Sequence, residues 1–377
     1  MKKLLITTDL YLPKWDGVSR FLNEIVPRLK KNFDIIIIAP DFGEYKEKNA
    51  KLVRMPVIKR LKFVNYPVPR INKKIIAREI KKADIVFNQT IGPIGYYAIK
   101  RCKRTKKPIV SFIHSIEWEL FPKALSSNLL KKIAYPIVKR MTRKLYNGVS
   151  CLFVPSYHIA EALMWQGIYS RMEIVHLGTD IKKFFPSKNR NKIRKEINLN
   201  PKPIIIGYHG RISEEKDLMT LLRAYMRIRS KNREKEINLL IVGDGLEKLK
   251  NKLKSKQGVF LVGKQDNVLP YLQAMDIYVL PSLTETTSLS TLEAMSCELP
   301  VIVTEVGFIK DYIEQGKNGL FFEKQNPFHL AKQIELLINN PSLRKELGKK
   351  ARETVKEKFN WDNTSSEIEM LLESMVE

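Results

Sequence analysis

The chain has 377 residues, 44% apolar and 28% charged, a globular composition that is too long for one ordinary core and predicts two domains. No stretch approaches the roughly 20 apolar residues that span a bilayer, and the N-terminal apolar run stops at Ile6, which reads as a first strand and not as a cleaved leader. The net charge of +27 calls for an anionic partner or reflects a bias toward Lys, Ile and Asn. The three cysteines (Cys102, Cys151, Cys297) are odd in number and without CxxC spacing, so they exclude a disulfide framework or zinc site and fit a reducing compartment.

In chain order, KKLLITTD (2–9) and FDIIIIAPD (33–41) are β-branched runs on either side of an amphipathic helix at 18–31, where Phe21, Leu22, Ile25, Val26 and Leu29 keep helical spacing. Strand, helix, strand favours a parallel sheet, and 83–90, 108–114, 148–156 and 171–180 extend it. Residues 183–202 are polar and basic, with a proline near each end of the stretch, and read as an interdomain connection with room for a short helix. Alternation restarts with strands at 203–210, 237–245, 259–263, 277–282 and 300–304 and helices at 217–230, 246–256, 267–274 and 290–297. Helices at 327–339, 341–357 and near 362–375 close the chain. The expected fold class is α/β, with two Rossmann-like doubly wound domains facing across a cleft. Residues 1–182 form the first domain, 203–357 the second, and 358–377 a final helix returning to the first domain.

Chemistry concentrates where strands of the second half end. In GYHGRISEEKD, Arg211 and Lys216 follow a strand, where two cations can neutralise a phosphate; alternatively they are surface cations of a basic protein. In ETTSLSTLEAMSCELP, Glu285 precedes a helix start and Glu293 lies eight positions on. Amide groups at such a start bind anions. Glu293 can either accept from a ribose diol or close a capping box.

The ordered set GRISEEKD, VGDG, VFLVGKQDNVLPYLQAMDIYVLPS, PSLTETTSLSTLEAMSCELPVIVT and GKNGLFF resembles the donor-binding half of glycosyltransferase family 4, which has the GT-B fold. In the N-terminal half, YLPKWDGVSRFLNEI resembles the family's glycine loop, QTIGPIGYYAIKRCKRTKKPIVSFIHSIEWELF that of its mannosyltransferase-like members, and VHLGTD its PNGVD. The resemblance implies that Arg211 and Lys216 bind the donor diphosphate, Glu293 the ribose and Glu285 the donor sugar. It implies that the amides of Ser288, Leu289 and Ser290 touch phosphate or sugar, that the base lies against Lys264 and Gln265, that Gly17 approaches the phosphates, and that His114 stands near the sugar as a catalytic residue, unless it is a satisfied buried histidine. The chain departs from the family at Thr287-Ser288 for Phe-Gly, Cys297-Glu298 for Cys-Gly and Gly307-Phe308 for Gly-Gly, which bears on donor identity.

No Asp-x-Asp occurs, so no metal and no cofactor are expected, and protein charge must stabilise the leaving nucleotide diphosphate. The expected function is transfer of a hexose, with the retention of configuration that the resemblance implies, from GDP-mannose, or second UDP-glucose or another UDP-sugar, to a glycan or lipid-linked acceptor. A sugar phosphorylase or sugar-nucleotide epimerase of the same fold is one alternative, and a basic nucleic-acid-binding protein the other. KRCKRTKK (100–107) and the basic–apolar stretches 57–82 and 121–146, read as helices, suit an anionic membrane surface or a solvated helix face. Without a nucleic-acid motif, no nucleic acid is expected as a partner. The expected location is cytoplasmic, with a peripheral position on the inner face of the cell membrane as a variant.

Overall fold

A computed structural model describes residues 1–63, 66–118, 121, 127–232, 234–285 and 287–376. They fall into two units, Met1–His176 with Thr364 onward, and Leu177–Asn363. Each is Rossmann-like.

The first unit contains β1 (Lys2–Thr7), α1 (Gly17–Leu29), β2 (Phe33–Pro40), β3 (Lys51–Met55), β4 (Val57–Phe63), β5 (Tyr66–Pro69), α2 (Lys73–Lys82), β6 (Ile85–Asn88), α3 (Pro93–Thr105), β7 (Ile109–Phe112), α4 (Asn128–Tyr146), β8 (Cys151–Val154), α5 (Tyr157–Trp165) and β9 (Met172–Ile174). Its sheet runs β3-β2-β1-β6-β7-β8-β9, with every neighbouring pair parallel. IVFN, IVSF and CLFV are buried at every position, as strands covered by helices on both faces must be. Asp16 caps α1, its side chain accepting from the amide of Ser19.

Residues 57–63 and 66–69 are not helical: β4 and β5 form a separate antiparallel pair. Pro56, Pro67 and Pro69 exclude a continuous helix by removing backbone donors and fixing φ. Parts of the two basic–apolar stretches, 64–65 and 122–126, lie outside the described residues. Among the described residues no helix is long and apolar enough to cross a membrane.

The second unit holds α6 (Arg190–Glu196), β10 (Ile204–His209), α7 (Leu218–Lys231), β11 (Ile237–Val242), α8 (Glu247–Lys254), β12 (Val259–Leu261), α9 (Leu269–Ala274), β13 (Ile277–Leu280), α10 (Leu289–Ser296), β14 (Val301–Thr304), α11 (Ile309–Tyr312), β15 (Leu320–Phe322), α12 (Pro327–Asn339) and α13 (Pro341–Glu357). Its parallel sheet runs β12-β11-β10-β13-β14-β15. The last helix, α14 (Trp361–Glu373), begins in this unit and belongs to the first from Thr364 onward.

Residues 183–202 belong to the second unit and do not form a free connection. The cause is Arg194, which is buried on α6. It donates to Asp276 Oδ2 at 2.6 Å and to the carbonyls of Ala274, Pro201 and Pro203 at 2.9, 2.8 and 3.1 Å. Asp276 also accepts from Arg190 at 2.8 Å and from the amide of Ile205 at 2.7 Å, so one carboxylate ties α6 to the first strand of this sheet. Arg194→Ala should therefore cost about 3–5 kcal/mol, the penalty for breaking a buried pair from one side. Urea melts should find the loss; a variant within about 1 kcal/mol of wild type would mean that α6 is not held by this residue.

Candidate functional site

In each unit the strand order reverses once, and the two loops flanking that reversal leave the carboxyl ends of adjacent strands. Ligands bind open α/β sheets at this switch point. In the second unit it lies between β10 and β13, which pair at Ile206–Ile277 and Gly207–Tyr278. Among the described residues its loops are 210–217 and 281–285 with 287–288, and they hold Arg211, Lys216, Glu285 and Ser288.

The β10 loop is shaped by its neighbour. The Gly210 amide donates to Val242 at 2.9 Å and the Ile212 amide to Asp244 at 2.9 Å. A Cβ on Gly243 or Gly245 would lie 1.9 or 2.0 Å from the carbonyl oxygens of Gly210 and Ile212, and both glycines have left-handed φ (+146° and +159°). VGDG is thus the surface on which the Arg211 loop rests. The two switch loops are joined where the Leu283 amide donates to Glu215 at 2.8 Å.

Lys216 and Glu285 meet. Lys216 Nζ donates to Glu285 Oε1 at 2.5 Å, and Ser282 Oγ donates to the same oxygen at 2.6 Å. Their side chains are 17% and 8% exposed, so the pair is largely out of water and held from two sides. Arg211 stands apart: its backbone carbonyl accepts from Tyr208, but its guanidinium is 72% exposed and pairs with Glu215 at 2.8 Å. Ser288 is the N-cap of α10, its oxygen accepting from the Thr291 amide at 3.3 Å and touching the Thr291 hydroxyl at 2.8 Å and the Ser290 hydroxyl at 3.1 Å. Leu289 is the first residue of that helix and packs partly against the core. On the loop after β12, Lys264 is exposed and Gln265 donates to the Val262 carbonyl at 2.8 Å.

Glu293 does not close a capping box. With Ser288 as cap, the third helical position is Thr291, and Glu293 lies a further two residues in. Its buried carboxylate meets the Nε2 of His209, the last residue of β10, at 2.6 Å. No role for His209 was read from the sequence. The available signal was an imidazole in an otherwise apolar strand, PIIIGYHG, immediately before Gly210-Arg211. His209 Nδ1 and the Thr287 hydroxyl are buried without a hydrogen-bond partner among the described residues, a concentration of unsatisfied polar atoms beside a candidate site.

The first unit's switch point lies between β1 and β6. Here Asp9 occupies the start of α3, accepting from the amides of Ile94 at 2.8 Å and Gly95 at 3.2 Å and from the Thr90 hydroxyl at 2.7 Å. Burial raises its pKa while these bonds oppose the shift. His114, just after β7, stacks on Phe112 (centroids 4.7 Å apart) and meets Phe21 edge-on at 5.0 Å. Burial lowers its pKa to about 3, so the ring is neutral at physiological pH. Nε2 faces the Gln89 carbonyl oxygen at 3.0 Å and carries the proton in the tautomer that satisfies this contact, which leaves Nδ1 as an acceptor. Gly17 opens α1, is exposed, and a Cβ there would meet nothing within 4 Å.

His209→Phe should leave the Glu293 carboxylate buried without that donor and cost about 1–3 kcal/mol. His209→Gln, which keeps an N–H, should recover most of it. Denaturant melts of both variants check this; equal stability of His209→Phe and wild type would show that the contact carries no weight.

Residues 15–183 match the family model Glycosyltransferase Family 4, and residues 189–354 match Glycosyl transferases group 1. The chain is similar to an uncharacterized glycosyltransferase of Methanocaldococcus jannaschii (26% identical, covering 99% of both chains). It is also similar to the alpha-monoglucosyldiacylglycerol synthase of Acholeplasma laidlawii (24% identical, 93% of this chain and 92% of that one). Among solved structures, Anabaena HepE in complex with UDP superposes with a TM-score of 0.80 at 17% identity, covering 99% of this chain and 100% of that one, which shows a shared fold. With one family model on each half and full-length relatives beside them, the chain belongs to glycosyltransferase family 4, a two-domain Rossmann-like transferase of the GT-B fold.

Proposed function

We propose that the chain moves a hexose from a nucleotide-diphosphate sugar to a glycan or lipid-linked acceptor, with retention of anomeric configuration and without a metal ion. The observation that carries this reading is the second unit's switch point. A largely buried lysine–glutamate pair, an exposed arginine, the cap of α10 and unsatisfied buried polar atoms all gather there. In this reading Lys216 and Arg211 face the diphosphate, with the amides at Ser288, Leu289 and Ser290 beside them. Charge that develops on the leaving group is stabilised by groups already in place. Glu285 orients Lys216 and faces the sugar. Glu293, held by His209, meets the ribose, and Lys264 and Gln265 border the base. His114 is held neutral and offers Nδ1 as an acceptor for a sugar hydroxyl, not a proton. Among the described residues a Cβ on Gly17 would meet nothing within 4 Å, which supports space kept for a ligand.

HepE structures with UDP and with UDP-glucose make UDP-glucose the first donor to test, beside GDP-mannose. A thermal-shift panel of sugar nucleotides is the primary experiment, because a ligand at a hundred times its Kd adds about 2.7 kcal/mol. Acceptor-dependent release of nucleotide diphosphate then separates transfer from phosphorolysis or epimerisation.

A lipid-linked acceptor and a cytoplasmic, peripheral position on the inner face of the membrane are supported by α4. Leu129, Leu130, Ile133 and Ile137 are exposed on it among Lys131, Lys132, Lys139, Arg140, Arg143 and Lys144. Apolar side chains set among cations suit an anionic bilayer surface.

Lys216→Ala and Glu285→Gln should each lower kcat by about 10²–10³-fold while melting transitions remain cooperative. Gly17→Val should lower turnover without changing stability. Steady-state kinetics with EDTA present should match those without it; a strict Mg²⁺ or Mn²⁺ requirement, or wild-type kcat in the Lys216 variant, would refute this assignment. Sedimentation with phosphatidylglycerol vesicles should fall on added salt and fall further in Ile133→Asp/Ile137→Asp. Identical, negligible binding to anionic and neutral vesicles would remove the membrane part of the reading.

A further inference from the structure

The imidazole of His209 is satisfied on one side only. Nε2 stands 2.6 Å from Glu293 Oε2, and both side chains are buried. The other ring nitrogen, Nδ1, is buried too and has no hydrogen-bond partner among the described residues. A buried polar pair of this kind is a poor source of stability. Apolar side chains of similar volume commonly do as well, and an orphaned ring nitrogen adds a cost. The one polar contact the ring does make is with a carboxylate beside the candidate site, so its use is to be sought in what it does to that carboxylate.

The pair joins two elements that flank the second unit's switch point. His209 ends β10, two residues before Arg211, and Glu293 lies on α10, five residues after the cap Ser288. His209 is itself held in place. Its carbonyl accepts from Tyr278 Oη at 3.3 Å, and its ring meets the buried Tyr278 ring at 60° with centroids 5.6 Å apart. The strand register maintains that contact, because Gly207 of β10 pairs with Tyr278 of β13. The last torsion of a glutamate is soft, so the plane of its carboxylate is set by its partners. Here a short N–H contact from a fixed ring sets it. Ribose presents two adjacent hydroxyls, and a carboxylate accepts from both only in the right plane. An acceptor fixed on a hydroxyl rejects an analogue that lacks it, whereas one that can turn discriminates less.

We propose that His209 is a positioning residue for donor selection: by holding one oxygen of Glu293 it makes the second unit prefer a ribonucleotide to the corresponding 2′-deoxyribonucleotide. The proposal rests on the reading of Glu293 as the ribose contact. It adds the residue that gives this contact its selectivity.

Calorimetric titration of the full chain with UDP, 2′-deoxy-UDP, GDP and 2′-deoxy-GDP tests it without an acceptor. For at least one base, wild type should bind the ribose form about 10–100-fold more tightly than the deoxyribose form, the effect of one hydrogen bond to a charged group. His209→Phe should lower that ratio about tenfold, by weakening the ribose form and leaving the deoxyribose form unchanged. His209→Gln, which keeps an N–H, should retain most of it. A merely structural role gives a different result, since a smaller folded fraction weakens both nucleotides alike and cancels in the ratio. An unchanged ratio in His209→Phe, or an equal loss in His209→Gln, would overturn the proposal. A measurement on wild type covers a His209→Phe chain that does not fold. With ¹⁵N-labelled histidine, the Nε2–H signal of His209 should move on saturation with the preferred ribonucleotide and move less with its deoxy form; equal displacement by the two would also overturn it. Wild type that binds UDP or GDP and treats the deoxy forms alike would lose the proposal and keep the donor reading. Binding of neither UDP nor GDP would remove both.

Discussion

All neighbouring strands within each of the two large sheets are parallel, and the rest of the molecule follows from that constraint. A parallel sheet returns each crossover through a helix, so every strand delivers its following loop at the same end. Loops flanking a reversal in strand order diverge and leave room for a ligand. In the second unit the chain furnishes that room with charge that is partly internal: Lys216 is matched by Glu285, and Glu293 rests on His209. Buried ionisable groups of this kind persist only with partners in place, so the framework that positions the site also makes it sensitive to single changes.

The positive charge has a structural share. Arg28, Lys81 and Lys82, Lys103 and Arg104, and Arg143 and Lys144 occupy the last turns of α1, α2, α3 and α4, and none of these helices has an acidic residue in its first turn. Cations there complement helix dipoles at about 0.3–1 kcal/mol each. A share of the basic character of the first unit therefore sits at helix ends, and α4 differs from the other three helices by adding exposed leucines and isoleucines.

Both halves were legible because their signals are local. β1, β2 and the repeated strands of the second unit are short apolar runs, and α12 and α13 fall where proline at the first position and helical periodicity put them. The antiparallel pairing of β4 with β5 was hidden by a mixture of cations and apolar residues that suits a helix face equally, although three prolines argued against one. The linker reading failed at Arg194, since a basic, polar heptad looks solvated until Asp276, far along the chain, is seen beside it. The same limit applied to Glu293. Its spacing from Ser288 misses the capping position by two residues, and only the register of β10 against β13 brings His209 near. Pairings made across the sheet leave no trace in local sequence.

The two units are not equivalent in how the chain is distributed between them. The second is one continuous stretch, whereas the first takes its final segment, with buried Ile368 and Leu372, from the far side of the second. Thr364 donates to the His176 carbonyl at 2.8 Å and Lys2 to that of Glu373 at 3.3 Å, so an early strand and the last helix are sewn together. During synthesis from the N-terminus the second unit has all its residues before the first does. The first unit must wait at the ribosome with the binding face for α14 uncovered, through the making of nearly two hundred residues, and any chain released early keeps a complete second unit beside an unfinished first one.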